Sequence, residues 1–158
     1  SIVLMAGSLQ TSQIVQAQNS IWYVFFQPLA FLVFLIAMTA ELNRVPFDLL
    51  EADSELVAGF HTEYSGMMFG FFYVAEYTQM IFLCLLGSVL FLGGWQGPFL
   101  PSFIWLLLKM YGLIFVMFWL RATLVRIRID QILDFSWKVL LPLSLLNLIV
   151  TAFFISLF

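Results

Sequence analysis

Residues 40–79 carry most of the acidic side chains of this chain. Seven of the nine Asp and Glu residues lie in this stretch: Glu41, Asp48, Glu51, Asp53, Glu55, Glu63 and Glu76. The chain on either side is almost purely apolar. Carboxylates kept beside hydrophobic spans are costly near a membrane, so they are expected to have a function. The chemistry that such acids offer is proton transfer.

The most closely spaced acids lie just after Pro46. Asp48, Glu51 and Glu55 recur at i, i+3 and i+7, so a short helix would place them on one face. No Lys or Arg separates them. Acids this close repel one another, which favours a retained proton on some of them near neutral pH, as proton transfer requires. The alternative is an ordinary solvated loop helix.

Two opposite charges, Glu76 and Lys109, lie inside predicted membrane helices. Counted from the predicted helix ends, they lie about 15 Å and about 18 Å from the same membrane face. We therefore predict that they pair, either as a structural ion pair or as a titratable pair in a proton path. Because a lone charge in the bilayer is costly, both side chains are expected to face protein or water.

Four other residues have more ordinary interpretations. Glu41 precedes Arg44 by three residues, which favours a local ion pair; a functional role would require Glu41 to point into the bundle. A lone His61 is assigned a minor structural role. The single Cys84 lies in an apolar run, so the chain has no disulfide framework, and we predict no metal site.

The composition indicates a membrane protein. Hydrophobic residues make up 63% of the chain, charged residues 9%, and the mean hydropathy is +1.06, whereas about a quarter of the residues in a soluble domain are charged. Six Lys and Arg residues are too few for a nucleic-acid surface. We predict one all-α polytopic membrane domain over residues 1–158, with lipid around it.

Four apolar segments are long enough to cross a bilayer. We place them at 21–42, 66–92, 102–120 and 137–157, and take residues 1–9 as the last turns of a preceding helix, in a fragment or split-gene product. The acidic connection and the basic third connection then lie on the cytoplasmic or matrix side. That side carries Arg121, Arg126, Arg128 and Lys138. The polar stripe of the last span, Ser144, Asn147 and Thr151, is expected to hydrogen-bond a neighbouring helix.

Several motifs in these segments match one family. They are AELNRVPFDL at 40–49, SELV at 54–57, GFHTEYSG at 59–66, AEY at 75–77, and a second block running from Leu120 to Lys138. The chain resembles the membrane subunit of respiratory NADH:quinone oxidoreductase (complex I), called subunit 1 in mitochondria and the H-type subunit in bacteria. The resemblance covers essentially the whole chain and corresponds to the C-terminal half of that family. Asp53 and Val125 depart from the family pattern, which has Glu and Pro there.

The resemblance implies a role in quinone reduction coupled to proton translocation. The implied quinone chamber residues are Arg44, Asp48, Glu51, Asp53, Arg121 and Arg126. The implied proton path holds Glu41, Glu55, Glu63, Glu76 and Lys109. Ubiquinone would be the substrate, and the chain would bind no cofactor. NADH, FMN and iron–sulfur clusters would belong to partner subunits.

The implied partners are the peripheral-arm quinone-site subunits, the small membrane subunits, the antiporter-like subunits and a chain carrying the missing N-terminal half. The expected location is the mitochondrial inner membrane, with a bacterial plasma membrane as the alternative. Other functions remain open: a subunit of a membrane-bound hydrogenase or plastoquinone-reducing complex, a stand-alone proton channel or transporter, or a purely structural anchor for the peripheral arm.

Overall fold

A computed structural model describes residues 1–19, 21–48 and 66–157, and the regular elements in these ranges are all helical. The chain is therefore an all-α polytopic membrane protein, as predicted. Within these ranges, three helical segments, Met67–Phe91, Ser102–Thr123 and Ile129–Leu157, are long and apolar enough to cross a membrane, and Pro28–Glu41 is a shorter apolar helix. The elements are α1 (Ile2–Ala6), α2 (Thr11–Ala17), α3 (Tyr23–Phe26), α4 (Pro28–Glu41), α5 (Met67–Phe91), α6 (Ser102–Thr123), α7 (Ile129–Phe135), a π-helical turn (Ser136–Leu140) and α8 (Leu141–Leu157).

The first predicted span, 21–42, is not one helix. It is divided at Gln27, whose backbone lies outside the helical region with φ −133° and ψ 62°. Pro28 is the first residue of α4, and a proline disfavours the α conformation of the residue before it. The span is consequently a short turn, α3, followed by the 14-residue α4.

The last helical segment begins earlier than predicted. The prediction placed its start at position 137, whereas helical structure begins at Ile129. The Gln131 side chain accepts a hydrogen bond from the Arg128 backbone N–H at 3.3 Å, which satisfies a donor that a helix start leaves unpaired. Lys138 donates to Asp134 at 2.7 Å, one turn earlier, and this spacing also supports the helix.

The second and third spans agree with prediction to within three residues, and they form the centre of the bundle. Helices α5 and α6 pack along each other, and α4 contacts α5. Their shared core is rich in methionine and contains Met38, Leu42, Met80, Cys84, Met110, Leu113 and Met117. Helices α4 and α5 approach each other closely at Gly87, where an added Cβ would lie 2.7 Å from Phe34 Cε1.

Helix α8 is the least packed long element. None of its residues is buried, and it contacts α1 and α4. The prediction that its polar stripe hydrogen-bonds a neighbouring helix is wrong for its hydroxyl groups. Ser144 donates to Leu141 O at 2.8 Å and Thr151 donates to Asn147 O at 2.6 Å, both within α8.

Candidate functional site

The candidate site lies where α4 ends and the chain turns. Asn43 adopts a left-handed conformation with φ 47°, which Asn tolerates better than most residues. The turn is held by hydrogen bonds from the Arg44 N–H to Thr39 O at 3.3 Å and from the Phe47 N–H to Arg44 O at 2.8 Å. This local geometry directs the side chain of Arg44 toward α5.

An ion pair joins this turn to α5. The guanidinium of Arg44 lies 3.5 Å from a carboxylate oxygen of Glu76, and it lies over the Tyr77 ring at 5.3 Å from the ring centre. The Arg44 side chain is 13% exposed and that of Glu76 is 38% exposed. The contact with Tyr77 adds cation–π attraction to the ion pair. A carboxylate within the second predicted span is thus neutralised by the end of the first.

A second ion pair joins the two connections at the same end of the bundle. Arg126 Nη2 lies 3.6 Å from Asp48 Oδ2, and the Asp48 side chain is only 4% exposed. Beside this pair, the Ile127 N–H donates to Pro46 O at 3.2 Å. The segment after α4 and the segment after α6 are therefore held together by a backbone hydrogen bond and by a buried carboxylate.

A small cleft with a cationic rim also lies at this end of the bundle. It is lined by Arg44, Tyr77, Met80, Met117, Phe118 and Arg121. Guanidinium groups donate hydrogen bonds in a fixed planar geometry suited to oxygen acceptors, while carboxylates accept and release protons. We call this end of the bundle the charged end, because it presents arginine donors at the rim of the cleft and the carboxylates of Glu76 and Asp48 beside arginines.

Lys109 lies elsewhere. Its ammonium donates to Gly94 O at 3.0 Å and to Gln96 O at 2.7 Å, in the connection between α5 and α6. The Trp22 ring lies 4.4 Å away and the Trp105 ring 5.6 Å away, measured to the ring centres. The residue is 6% exposed, which fits the prediction that it faces protein.

The predicted pair between Glu76 and Lys109 is wrong. Glu76 lies fifteen residues before the end of α5 at Phe91, and Lys109 lies seven residues after the start of α6 at Ser102. The difference of eight residues is about 12 Å along antiparallel helices at 1.5 Å per residue. Helix α6 continues to Thr123, so Lys109 lies farther from the charged end than predicted. Its ammonium reaches the connection between α5 and α6, while Glu76 meets Arg44.

Glu41 also differs from expectation. It is exposed at the end of α4, and Arg44, its predicted partner, pairs with Glu76 instead.

The structure brings together four of the predicted chamber residues: Arg44, Asp48, Arg121 and Arg126. Glu51, Asp53, Glu55, His61 and Glu63, and the predicted acidic helix after Pro46, lie outside the described residues.

Sequence reasoning missed several contacts of these charges. These contacts involve Tyr77, which lies in the AEY motif, and the tryptophans Trp22 and Trp105. Trp105 precedes Lys109 by four residues on α6, a spacing that brings side chains together, whereas Tyr77 and Trp22 contact a cation on another element.

Comparison with known proteins identifies the family. A family model described as NADH dehydrogenase matches residues 1–152. An H-type NADH-quinone oxidoreductase subunit of Geobacter sulfurreducens, the second of that name, is 54% identical over 149 residues, covering 94% of this chain and 45% of the relative. The H-type subunit of Geobacillus thermodenitrificans is 52% identical over 161 residues, with 99% and 48% covered. That of Dehalococcoides mccartyi is 54% identical over 152 residues, with 96% and 43% covered.

These relatives are bacterial, and the chain spans less than half of their length. The match covers nearly all of this chain, including both segments that form the charged end. The resemblance seen in the sequence is confirmed, and the chain belongs to the NADH dehydrogenase family, with the H-type membrane subunits of NADH-quinone oxidoreductases.

Proposed function

We propose that this chain forms part of the wall of a quinone-binding chamber and part of the charged path that couples quinone reduction to proton translocation. The observation that supports the proposal best is the ion pair between Arg44 and Glu76, which links the turn after α4 to the carboxylate of α5. An ionisable residue in a membrane helix is a functional candidate by default, and this one meets an oppositely charged partner at the rim of a cleft.

The pair gives a physical route from protonation to movement. A proton on Glu76 removes the negative charge that Arg44 faces, and leaves a largely buried guanidinium over the Tyr77 ring. Breaking one partner of a buried pair costs about 3–5 kcal/mol, reduced here because Glu76 is 38% exposed. The turn that carries Arg44 then shifts or recruits another anion.

On the chamber side, Arg44, Arg121 and Arg126 supply donors to the carbonyl oxygens of a quinone head group. A quinone that gains two electrons also takes up two protons, and Asp48 is the buried carboxylate beside these cations. The same proposal includes two further chamber residues that the resemblance implies, Glu51 and Asp53. It also includes the other implied residues of the proton path: Glu41, Glu55, Glu63 and Lys109.

The setting follows from the relatives. We propose the plasma membrane of a bacterium rather than the mitochondrial inner membrane, since the relatives described above are bacterial. The charged end faces the cytoplasm under the positive-inside rule. NADH, FMN and the iron–sulfur clusters belong to partner subunits. Those partners are the peripheral-arm and antiporter-like subunits, together with the small membrane subunits and the chain carrying the remaining family helices.

The test is Glu76→Gln in the assembled complex, reconstituted in liposomes. NADH-driven quinone reduction and proton uptake are measured together, with Asp134→Asn as the control because Asp134 forms an exposed pair with Lys138. We expect Glu76→Gln to lower coupled turnover by roughly 100-fold or more, the size of one lost acid–base group, and the control to retain it.

Other outcomes favour the other functions. Normal turnover and pumping in Glu76→Gln would support a purely structural anchor. Proton conduction by the purified chain without partner subunits would support a channel. Quinone-independent activity in the assembled complex would support a hydrogenase-type assembly.

A further inference from the structure

The connection between α5 and α6 presents an apolar surface at the end of the bundle opposite the charged end. Residues 92–101 read LGGWQGPFLP, and no charged residue lies between Glu76 and Lys109. Phe99 is 93% exposed, the highest value among the large apolar side chains in the described part of the chain. Trp95 and Leu100 beside it are also exposed. Connections that lie in water are usually polar, so this one suits a less polar environment.

The base of this connection is held by contacts with α6. The ammonium of Lys109 donates to Gly94 O and Gln96 O. At Gly97 the backbone lies against the indole of Trp105, where an added Cβ would overlap the ring. The exposed tip therefore projects from a turn that is already ordered. Placing this tip in a membrane consequently costs little additional conformational entropy.

The length of α6 places this connection at a membrane interface. Arg121 lies in the last turn of α6 and Pro101 is its N-cap, and the rise between them is about 30 Å. The hydrocarbon core of a bilayer is also about 30 Å thick. With the arginines of the charged end at one interface, Phe99 and Leu100 lie at the level of the opposite head groups. Trp95 is of a residue type that is enriched at this level.

The apolar surface of the connection continues along α6. Exposed side chains recur there at helical spacing: Ile104, Leu108, Tyr111 and Phe115. This stripe runs from the connection into the span. Lipid tails are as apolar as leucine side chains, so the stripe can face acyl chains without a protein partner. The connection is then the end of a lipid-facing surface, at the depth where acyl chains meet head groups.

We propose that this connection is a membrane-interface anchor, which inserts Trp95, Phe99 and Leu100 among the head groups and upper acyl chains of the leaflet opposite the charged end. The anchor fixes the height of α5 and α6 in the bilayer. It acts through apolar burial and not through charge, because Lys109, the nearest Lys or Arg in the sequence, is 6% exposed and donates to the connection itself. The inference does not depend on the proposed quinone chemistry.

Fluorescence quenching in the assembled complex tests the anchor. A genetically encoded dansyl amino acid replaces Phe99 or, as the control, Gln16, an exposed polar residue of α2, which contacts α5. The complex is reconstituted in phosphatidylcholine vesicles with two alternative quenchers: a nitroxide on the upper acyl chain, or iodide on both sides of the membrane. We expect the nitroxide to quench the probe at position 99 at least about threefold more than the probe at position 16, as interfacial insertion requires.

Iodide should quench the probe at position 99 at least about threefold less than the free dansyl amino acid in buffer, because ions are excluded from the apolar layer. Iodide quenching without nitroxide quenching at this position would place the connection in water. Protection from both quenchers would show that a protein covers it. Either result, or equal nitroxide quenching at positions 99 and 16, would overturn the proposal. Adding phosphatidylglycerol to the vesicles should change neither measurement, and a marked increase in nitroxide quenching would contradict an anchor that acts without charge.

A second arm tests the contribution of Phe99 itself. The probe is placed at Leu100, and Phe99→Ser is compared with Gln16→Ser. Iodide quenching at position 100 should rise by about threefold or more in Phe99→Ser, since the main apolar group of the tip is lost, and should stay constant in Gln16→Ser. An unchanged signal in Phe99→Ser would show that the aromatic tip does not insert, which also overturns the proposal. Co-purification of the partner subunits with each variant verifies that the complex is assembled.

Discussion

Lys109 is expected to hold the connection between α5 and α6, and Lys109→Met is the change that tests this. Methionine keeps an unbranched chain of similar length and removes the ammonium group. The substitution abolishes the hydrogen bonds to Gly94 O and Gln96 O. It also removes the attraction to the rings of Trp22 and Trp105.

The size of the effect follows from these contacts. A buried carbonyl left without a donor costs about 1–3 kcal/mol, so two carbonyls give about 2–6 kcal/mol. Loss of the ring contacts adds about 0.5–2 kcal/mol. Removing the cost of burying a charge works in the opposite direction. We expect the connection to open more easily by about 2–4 kcal/mol, which is roughly a 30- to 900-fold change in the opening equilibrium.

Hydrogen–deuterium exchange in the assembled complex measures this opening. The Gly94 and Gln96 amides are the probes, because they donate to Ser88 O at 2.9 Å and to Gly93 O at 3.0 Å. Their exchange should accelerate by at least about 30-fold in Lys109→Met. Lys138→Met, at an exposed lysine, should leave them unchanged. Exchange rates of the two amides within about threefold of those in the unsubstituted protein would show that Lys109 does not hold this connection. Faster exchange confined to the helix around Glu76 would show the same.

Two further substitutions test packing and the charged end. Gly87→Ala should lower the free energy of unfolding by about 1–3 kcal/mol through overpacking, whereas Gly112→Ala, with nothing within 4 Å, should not. Unfolding on heating exposes the buried thiol of Cys84, which a thiol-reactive dye detects once the other cysteines of the subunit are replaced. Equal melting temperatures of the two variants would contradict the prediction. Asp48→Asn should reduce quinone reductase activity roughly tenfold or more. The control Asp130→Asn changes an exposed pair and should retain the activity, because such pairs contribute about 0–1 kcal/mol. Similar activities of the two variants would argue against a role for the buried carboxylate of Asp48.

The general architecture was predictable because apolar run length and the bilayer thickness determine it. The second and third spans begin and end within three residues of their predicted positions, since Gly and Pro residues separate them. The break at Gln27 was also open to prediction, because a proline restricts the residue before it. The early start of α7 depends on Gln131 reaching the Arg128 N–H, a weak signal within a charged connection.

The partners of the charges were harder to predict, because they depend on how far each helix extends past its neighbours. Glu76 and Lys109 have opposite charge and lie on adjacent helices, yet Lys109 reaches the connection between α5 and α6 and Glu76 meets Arg44. Arg44 lies near Glu41 in the sequence, but the left-handed turn at Asn43 directs it to another helix. The family motifs named Arg44, Asp48 and Glu76 without saying which of them meet.

Reaction-induced infrared difference spectroscopy on the assembled complex can show whether Glu76 changes its protonation when quinone is reduced. The method detects the C=O stretch of a carboxyl group that gains or loses a proton during the reaction. We predict a carboxyl band that disappears in Glu76→Gln and persists in Asp134→Asn. A difference spectrum that is the same in Glu76→Gln as in the unsubstituted complex, with normal quinone reduction, would exclude Glu76 from the coupling path.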